Sequence, residues 1–255
     1  MSWTSVPVTE PAPELTVVVP VFGNATRIPE LSARLERAVM SRSYELLLVD
    51  DASPDQAHNA IRKLADEDPR VCGIVLAENV GQNSAVLAGL AYARGAAVAV
   101  MDGDLQDPPE ALPLLLATLE RRGADAVFAA RRGRYETRVR LATGRLLKRA
   151  LWLLTAGRVP PDAGLFLVVR QAVAERVVAA AGTDPYVLVL VAHAARSVAT
   201  IPVERGRGGA SSYTGAMRLR VARRALAAAL RRDSGRPSYR VAERIGRRFS
   251  TEEST

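Results

Sequence analysis

The 255-residue sequence holds one cysteine and no long apolar run. The lone Cys72 cannot close an internal disulfide, which excludes a disulfide-stapled scaffold and favours a reducing compartment, the cytoplasm. No stretch approaches the roughly 18 apolar residues of a membrane-spanning helix, the best candidate being 186–195. No basic and apolar leader precedes Leu15. We therefore expect a protein that is neither secreted nor able to cross a membrane by itself.

Aromatic residues make up only 5% of the chain, and acidic residues are fewer than basic ones. The net charge is +8, and the basic excess lies late, in the segments 131–149 and 205–248. Each segment is either a solvated basic face or a surface for anionic lipid, phosphorylated substrates or nucleic acid. No stacking rings are interleaved with these basic residues, so we expect no nucleic-acid partner.

Common nucleotide and calcium motifs are also missing. No Gly-x-Gly-x-x-Gly follows the first apolar segment, which argues against a dinucleotide-dependent dehydrogenase. No Gly-x-x-x-x-Gly-Lys-Ser/Thr is present, which disfavours a phosphate-loop nucleotidase. The ligand spacing and terminal Glu of an EF-hand loop are absent as well.

Strand and helix patterns alternate along the chain. Strands are predicted at 15–21, 44–49, 71–77, 96–101, 124–130, 163–169 and 198–203. Helices are predicted at 28–40, 81–94 and 138–155. A further helix is predicted to end at 122, and another is predicted to begin at 171. This order implies right-handed crossovers and an α/β fold with a mostly parallel central sheet flanked by helices.

Composition along the chain indicates one folded domain. We expect a flexible tail at 1–14, a single domain at 15–233 and a basic, partly disordered tail at 234–255. The predicted helix at 138–155 is amphipathic, and it either packs on the core or lies at a membrane surface with its basic residues toward lipid phosphates. His193 lies within an apolar stretch and is predicted to be a packed core residue.

The most informative segment is 102–110, with the sequence DGDLQDPPE, which follows an apolar strand pattern. Although Asp-Gly-Asp alone is an ordinary turn, a buried strand would carry Asp102 and Asp104 to its carboxyl edge. Two carboxylates at that spacing can both reach a hard divalent cation, and Gln106 supplies another oxygen. The turns at 20–24 and 50–55 would share the same rim. The segment therefore predicts a site for a metal ion and a diphosphate.

Several segments, in this order and spacing, resemble those of a known family. They are VVVPVFGN at 17–24, LLVDDASPD at 47–55, NVGQ at 79–82 with AGL at 88–90, and DGDLQDPPE at 102–110. Each segment alone is a weak signal, but together they resemble family 2 glycosyltransferases, most closely the dolichol- or polyprenyl-phosphate mannosyl- and glucosyltransferases. The resemblance runs from about Leu15 to about Tyr213.

The resemblance implies the Rossmann-like GT-A fold and an inverting transfer of a hexosyl group from a GDP- or UDP-sugar. It implies that Asp102, Asp104 and Gln106 hold Mg²⁺ or Mn²⁺, with Asp104 also catalytic. Asp51 would face the base or ribose. The implied contacts to the donor nucleotide are Pro20, Phe22, Asn24, Asp51, Ser53, Gln82, Asp102 and Gly103.

The acceptor side of the site is implied by the same resemblance. Groups that would bind phosphate, of the donor or the acceptor, are Arg131, Arg140, Thr143, Arg205, Arg207 and Ser211. A phosphate monoester has a second pKa of about 6, so it can attack a sugar without a strong general base. A hydroxyl acceptor would need a base, and Asp107 is the nearest unassigned carboxylate.

The sequence departs from the family pattern in three places. Glu78 stands where an Arg is frequent, GLFLV at 164–168 replaces a pattern like Gly-Asp-Phe-Arg-Leu, and SSY at 211–213 replaces Ser-Lys-Tyr. These changes leave the acceptor and the sugar open.

Three hypotheses follow. The first is a peripheral enzyme at the cytoplasmic membrane face that moves a hexose, with GDP-mannose as the leading donor, to polyprenyl phosphate. The second replaces the lipid with a soluble acceptor, such as a natural product. The third is a non-catalytic subunit that binds a nucleotide sugar, against which the retention of Asp102 and Asp104 argues.

Overall fold

The computed structural model describes residues 11–132, 152–153, 155, 157–160, 162–183, 185–204 and 239–250. Eight strands of the described residues form one sheet. They are β1 (Leu15–Val21), β2 (Tyr44–Asp50), β3 (Val71–Leu76), β4 (Ala97–Val100), β5 (Ala126–Arg132), β6 (Ala163–Arg170), β7 (Val198–Glu204) and β8 (Val241–Ile245). Their order across the sheet is β7-β5-β6-β4-β1-β2-β3-β8.

The central strands are parallel, as the pattern predicts. β1 pairs in parallel with both β2 and β4, β2 with β3, and β5 with β7. β6 is antiparallel to β4 and β5, and β8 is antiparallel to β3. Every residue of β1 and β2 is buried, because helices cover both faces of the sheet at its centre. The predicted α/β class with a mostly parallel sheet is confirmed.

The helices lie in two layers. They are α1 (Ile28–Val39), α2 (Ala57–Glu67), α3 (Gln82–Tyr92), α4 (Leu112–Arg121), α5 (Gln171–Ala180), α6 (Val187–Ala194) and the short α7 (Arg247–Ser250). Buried side chains of α1, α2 and α4 pack on one face of the sheet, while those of α3, α5 and α6 pack on the other. No helix among the described residues is both long enough and apolar enough to span a lipid bilayer.

Gly89 lets α3 lie unusually close to the centre of the sheet. A β-carbon at this position would collide with Cγ1 of Val18 and would lie 3.1 Å from Cγ2 of Val49. Both valines are completely buried, so neither can move aside easily. The glycine therefore determines how near α3 comes to β1 and β2.

We expect Gly89→Ala to lower the free energy of unfolding by about 1–3 kcal/mol, since it overpacks a filled core. The measurement is urea denaturation followed by circular dichroism. Combining the change with Val18→Ala removes the colliding methyl groups, so the double variant should lose less stability than the two single losses added together. Strict additivity would show that the close approach is not the cause.

Two predictions from the sequence are wrong. The sequence places residues 239–250 in a basic tail, but they form β8 and α7, and β8 extends the sheet beside β3. His193 is exposed rather than packed in the core. It lies in the last turn of α6, whose apolar residues occupy the buried face, and a histidine there suits the negative end of the helix dipole.

Candidate active site

The predicted turns do meet at one rim of the sheet. In the parallel pairing of β1 with β2, Val21 lies opposite Asp50, and Val18 of β1 lies opposite Val100 of β4. The segments that leave these strands therefore emerge side by side at the carboxyl edge, where ligands bind in open parallel sheets. Pro20 is buried within β1, one residue before the rim.

Hydrogen bonds join the turn after β1 to the acidic turn after β2. The Gly23 backbone N–H donates to Oγ of Ser53 at 2.7 Å, and the Ala25 N–H donates to Oδ2 of Asp55 at 2.8 Å. The Ser53 hydroxyl also donates to Asp55. Burial alone would raise the pKa of Asp55, but hydrogen bonds from the Ser53 hydroxyl and from backbone N–H groups, including that of Ala25, together outweigh it, so the pKa lies below its usual value. Phe22 is left exposed beside these anchored turns.

Asp51 points away from open solvent. Its Oδ1 accepts the Val80 N–H at 2.8 Å and its Oδ2 accepts the Gly81 N–H at 2.9 Å. Residue Asp51 is only 3% exposed, and burial is the main reason that its pKa is raised, followed by hydrogen bonds that lower it and by the neighbouring Asp50. Contact of Asp51 with a base or ribose stays a prediction, while its observed partners are backbone amides of the turn before α3.

This raised pKa has a testable consequence for stability. Because the folded state holds the Asp51 proton more tightly than the unfolded chain does, the contribution of Asp51 is greatest below its unfolded pKa of about 3.9 and is lost as pH rises through the folded pKa. In Asp51→Asn this dependence disappears. The stability of the variant relative to the wild type should therefore improve between about pH 4 and about pH 7.

Urea unfolding at both pH values measures this difference. Asp66→Asn, at an exposed position of α2, serves as the control for replacing a carboxylate with an amide. An Asp51→Asn difference that moves the opposite way with pH would contradict the assigned direction.

The Asp-Gly-Asp turn follows β4 as predicted. Asp102 and Asp104 are both partly exposed. The Gln82 side-chain amide donates to Oδ1 of Asp102 at 2.5 Å, and the Gln106 backbone N–H donates to Oδ1 of Asp104 at 3.0 Å. Arg27 donates to the Asp104 carbonyl oxygen at 2.7 Å. Hydrogen bonds from Gln82 and from Arg27 therefore hold the Asp-Gly-Asp turn in place.

Gly103 allows this turn to lie against the turn after β1. A β-carbon on Gly103 would lie 2.7 Å from Nδ2 of Asn24 and 3.3 Å from the Pro20 carbonyl oxygen. The Asn24 carbonyl oxygen, Oδ1, is buried and has no hydrogen-bond partner among the described residues. Pro20, Asn24 and Gly103 therefore lie together at the rim. All three are predicted to contact the donor nucleotide.

The carboxylate oxygens of Asp102 and Asp104 suit a hard divalent cation. Oxygen ligands from carboxylates are what Mg²⁺ and Mn²⁺ prefer, and Asp102 and Asp104 each accept a hydrogen bond from a neutral donor, which leaves their negative charge in place. Within the part of the chain that the structure describes, no group of three or more His, Cys, Asp or Glu side chains could hold a metal by itself. A cation here would complete its shell with other oxygens, such as those of a diphosphate or water.

The remaining predicted residues differ in what the structure says of them. Asp107 is 1% exposed, so its carboxylate lies inside the protein rather than on an open surface, and its role as a base stays a prediction. Arg131 lies in β5 near the rim end of that strand. The other predicted phosphate-binding residues, Arg140, Thr143, Arg205, Arg207 and Ser211, are outside the described residues, as is most of the predicted helix 138–155.

Sequence reasoning missed two supporting residues. Arg27 contacts the Asp104 backbone across 77 positions in the chain, and no local pattern announces such a contact. Asp55 was part of the acidic segment but had no role assigned. Its place two residues after Ser53 is typical of a side chain that accepts a local hydrogen bond. This spacing is the feature of the sequence that indicates a role for Asp55 in the turn.

This arrangement of strands, rim and turns is the GT-A fold of glycosyltransferases. The chain belongs to glycosyl transferase family 2, whose family model matches residues 16–178. The resemblance read from the sequence is therefore confirmed at the level of the family.

Solved structures show how far the fold extends. A mannosyltransferase from Pyrobaculum calidifontis, in complex with GDP-Man and Mn²⁺, superposes with a TM-score of 0.60 at 21% identity, covering 93% of this chain and 69% of that one. A glucosyl-3-phosphoglycerate synthase from Mycobacterium tuberculosis, in complex with Mn²⁺, UDP-glucose and phosphoglyceric acid, superposes with a TM-score of 0.62 at 17% identity, covering 94% and 91%.

Curated relatives are more similar in sequence. An undecaprenyl-phosphate 4-deoxy-4-formamido-L-arabinose transferase from Shewanella sediminis is 32% identical over 200 residues, which is 76% of this chain and 60% of the relative. Across the four relatives compared, this chain spans 48% to 63% of their length.

Proposed function

We propose that this chain transfers a sugar, with inversion, from a nucleotide diphosphate sugar to the phosphate of a polyprenyl phosphate. The observation that carries the proposal is the pair of partly exposed carboxylates, Asp102 and Asp104, at the rim beside the turns after β1 and β2. Relatives named as undecaprenyl-phosphate sugar transferases support the lipid phosphate acceptor. Because such an acceptor is carried in a membrane, we propose peripheral contact with the cytoplasmic membrane face.

Different residues at the rim would bind the nucleotide and the cation. The turn at 22–25, anchored by Ser53 and Asp55, would lie along the nucleotide, and exposed Phe22 offers it an apolar surface. Asp102 and Asp104, with Gln106 nearby, would hold Mg²⁺ or Mn²⁺. When bound, such a cation stabilises the negative charge that develops on a departing diphosphate.

An acceptor phosphate simplifies the remaining chemistry. It is largely ionised at neutral pH, so its oxygen can attack the anomeric carbon on the face opposite the departing diphosphate without a strong base. Buried Asp107 is then not required as a base. We propose that Arg131, Arg140, Thr143, Arg205, Arg207 and Ser211 engage phosphate, because arginine can grip a phosphate with two parallel donors.

The sugar is a narrower proposal. The sequence resemblance favours GDP-mannose as the donor, and the Pyrobaculum calidifontis mannosyltransferase is described in complex with GDP-Man. The curated relatives are instead named for 4-deoxy-4-formamido-L-arabinose. We propose a donor screen that contains both classes rather than hexoses alone.

One assay tests the proposal. The full chain is incubated with Mn²⁺ or Mg²⁺ and a panel of GDP- and UDP-sugars, with and without polyprenyl phosphate, while release of nucleoside diphosphate is followed. Release stimulated by polyprenyl phosphate supports the proposal. Release only with soluble hydroxyl acceptors would replace the acceptor class, and nucleotide-sugar binding without release in any mixture would show a binding subunit instead of an enzyme.

A further inference from the structure

We infer that Gln82 is a positioning residue that holds the Asp102 carboxylate in the orientation needed to bind the cation. This inference rests on the proposed function, since it concerns the same site. Its direct basis is the hydrogen bond of 2.5 Å from Nε2 of Gln82 to Oδ1 of Asp102, which joins residues 20 positions apart. From the sequence, Gln82 was expected only to contact the nucleotide.

The turn before Gln82 is fixed to the end of β2. Asp51 accepts the backbone N–H groups of both Val80 and Gly81, and the Asn79 side chain donates to the Asp51 carbonyl oxygen at 3.2 Å. Gly81 has a φ of +86°, a conformation that favours glycine. These contacts place Gln82 at the first position of α3 with little freedom in its backbone.

The helix that follows is itself tightly packed. Residues 84–90 are all buried, and Gly89 brings the helix against Val18. On its other side, Oδ1 of Asn83 accepts the backbone N–H of Val187 at 2.9 Å. Movement of the Gln82 main chain would therefore disturb the core, so the fold determines where the Gln82 side chain begins, and its amide reaches Asp102 from that fixed point.

The chemistry of the contact suits a support for a metal ligand. A neutral amide donor fixes one oxygen of Asp102 and leaves the negative charge of the carboxylate in place. An arginine or lysine in the same position would neutralise that charge. The second oxygen is then held in a defined direction. Carboxylates that bind metals are commonly supported by such hydrogen bonds, and loss of the outer partner lowers metal affinity by about 10- to 100-fold.

Binding of Mn²⁺ alone and with GDP or UDP gives a direct test. Full-length Gln82→Met keeps the side-chain volume but cannot donate, and Gln82→Ala removes the side chain. Titrations followed by the electron paramagnetic resonance signal of free Mn²⁺ should show about 10- to 100-fold weaker binding for both variants. Affinity for the nucleotide without metal should stay unchanged, and kcat should recover largely at saturating Mn²⁺.

Glu78→Gln is the matched control, because Glu78 is an exposed residue of the same turn and is not part of the site described above. Its Mn²⁺ affinity should equal that of the wild type. Thermal unfolding of each variant shows whether it is folded, and Gln82→Met preserves the packing if Gln82→Ala does not fold.

The outcomes separate the two proposals. If the wild type neither binds Mn²⁺ with nucleotide nor releases nucleoside diphosphate, the proposed function fails. If the wild type does both and the folded Gln82 variants bind Mn²⁺ equally well, only the role of Gln82 is overturned. Loss of metal-free nucleotide affinity in these variants, with normal Mn²⁺ affinity, would show a direct nucleotide contact and would also overturn it.

Discussion

Asp104→Ala is expected to lower kcat by about 100- to 1,000-fold, the size of effect seen when one preorganised group that stabilises transition-state charge is lost. Asp104 is a partly exposed carboxylate two positions after Asp102, at the rim where the turns after β1, β2 and β4 meet. Without it a cation keeps only one carboxylate from this turn. The loss should persist at saturating donor, because the charge that the cation stabilises develops during transfer. The measurement is nucleoside diphosphate release at saturating Mn²⁺.

Two comparisons make this experiment specific. Asp104→Asn keeps an oxygen that can accept the Gln106 N–H but removes the negative charge, so it should be nearly as inactive as Asp104→Ala if charge is what matters. Asp66→Ala removes an exposed carboxylate on α2. Asp66 is distant in sequence from Asp102 and Asp104, and its replacement should leave kcat unchanged. Near-normal turnover in a folded Asp104→Ala protein would remove Asp104 from the catalytic machinery.

Local sequence patterns were sufficient to predict the rim. β1 and β2 are buried at every position, and short, mostly apolar runs separated by helices are typical of the central strands of a parallel sheet. The Asp-Gly-Asp segment had to follow the fourth strand, because Pro108 and Pro109 cannot continue a strand. The family and the fold were therefore accessible from the sequence.

Contacts between distant segments were not accessible in the same way. Gln82 meets Asp102, and Arg27 meets Asp104, only because parallel pairing brings separate turns to one edge. β8 was missed because its short sequence, VAERI, carries two charges and is mostly partly exposed or exposed. Its place as an edge strand depends on pairing with β3, which is distant in sequence, and that pairing has no local signal.

A buried ionic cluster explains why the C-terminal segment belongs to the fold. Oε2 of Glu45 accepts hydrogen bonds from Arg94 at 3.1 Å and from Arg248 at 2.5 Å, and its Oε1 accepts the Thr16 hydroxyl at 3.1 Å. Arg248 also donates to the Tyr92 carbonyl oxygen at 2.8 Å. The Glu45 and Arg248 side chains are 4% and 6% exposed, so water cannot compensate if one partner is lost.

Glu45→Gln should therefore lower the free energy of unfolding by about 3 kcal/mol, at the lower end of the range for breaking a buried ion pair. The lower end is expected because the Arg94 side chain is 37% exposed and can be hydrated. Urea denaturation measures the loss. Glu36→Gln is the matched control, since Glu36 pairs with Arg70 at a site where both side chains are exposed, and it should cost about 0–1 kcal/mol.

A second substitution separates the ionic cluster from general damage to β2. In Glu45→Gln the Arg248 guanidinium remains buried without its carboxylate, and Arg248→Met removes that cation while keeping an unbranched apolar side chain. The double variant should be more stable than the sum of the single losses predicts, because a buried pair replaced on both sides leaves no unpaired charge. Equal losses in Glu45→Gln and Glu36→Gln, or additive losses in the double variant, would mean that the C-terminal segment is held by apolar packing of Phe249 and Ile245 rather than by Glu45.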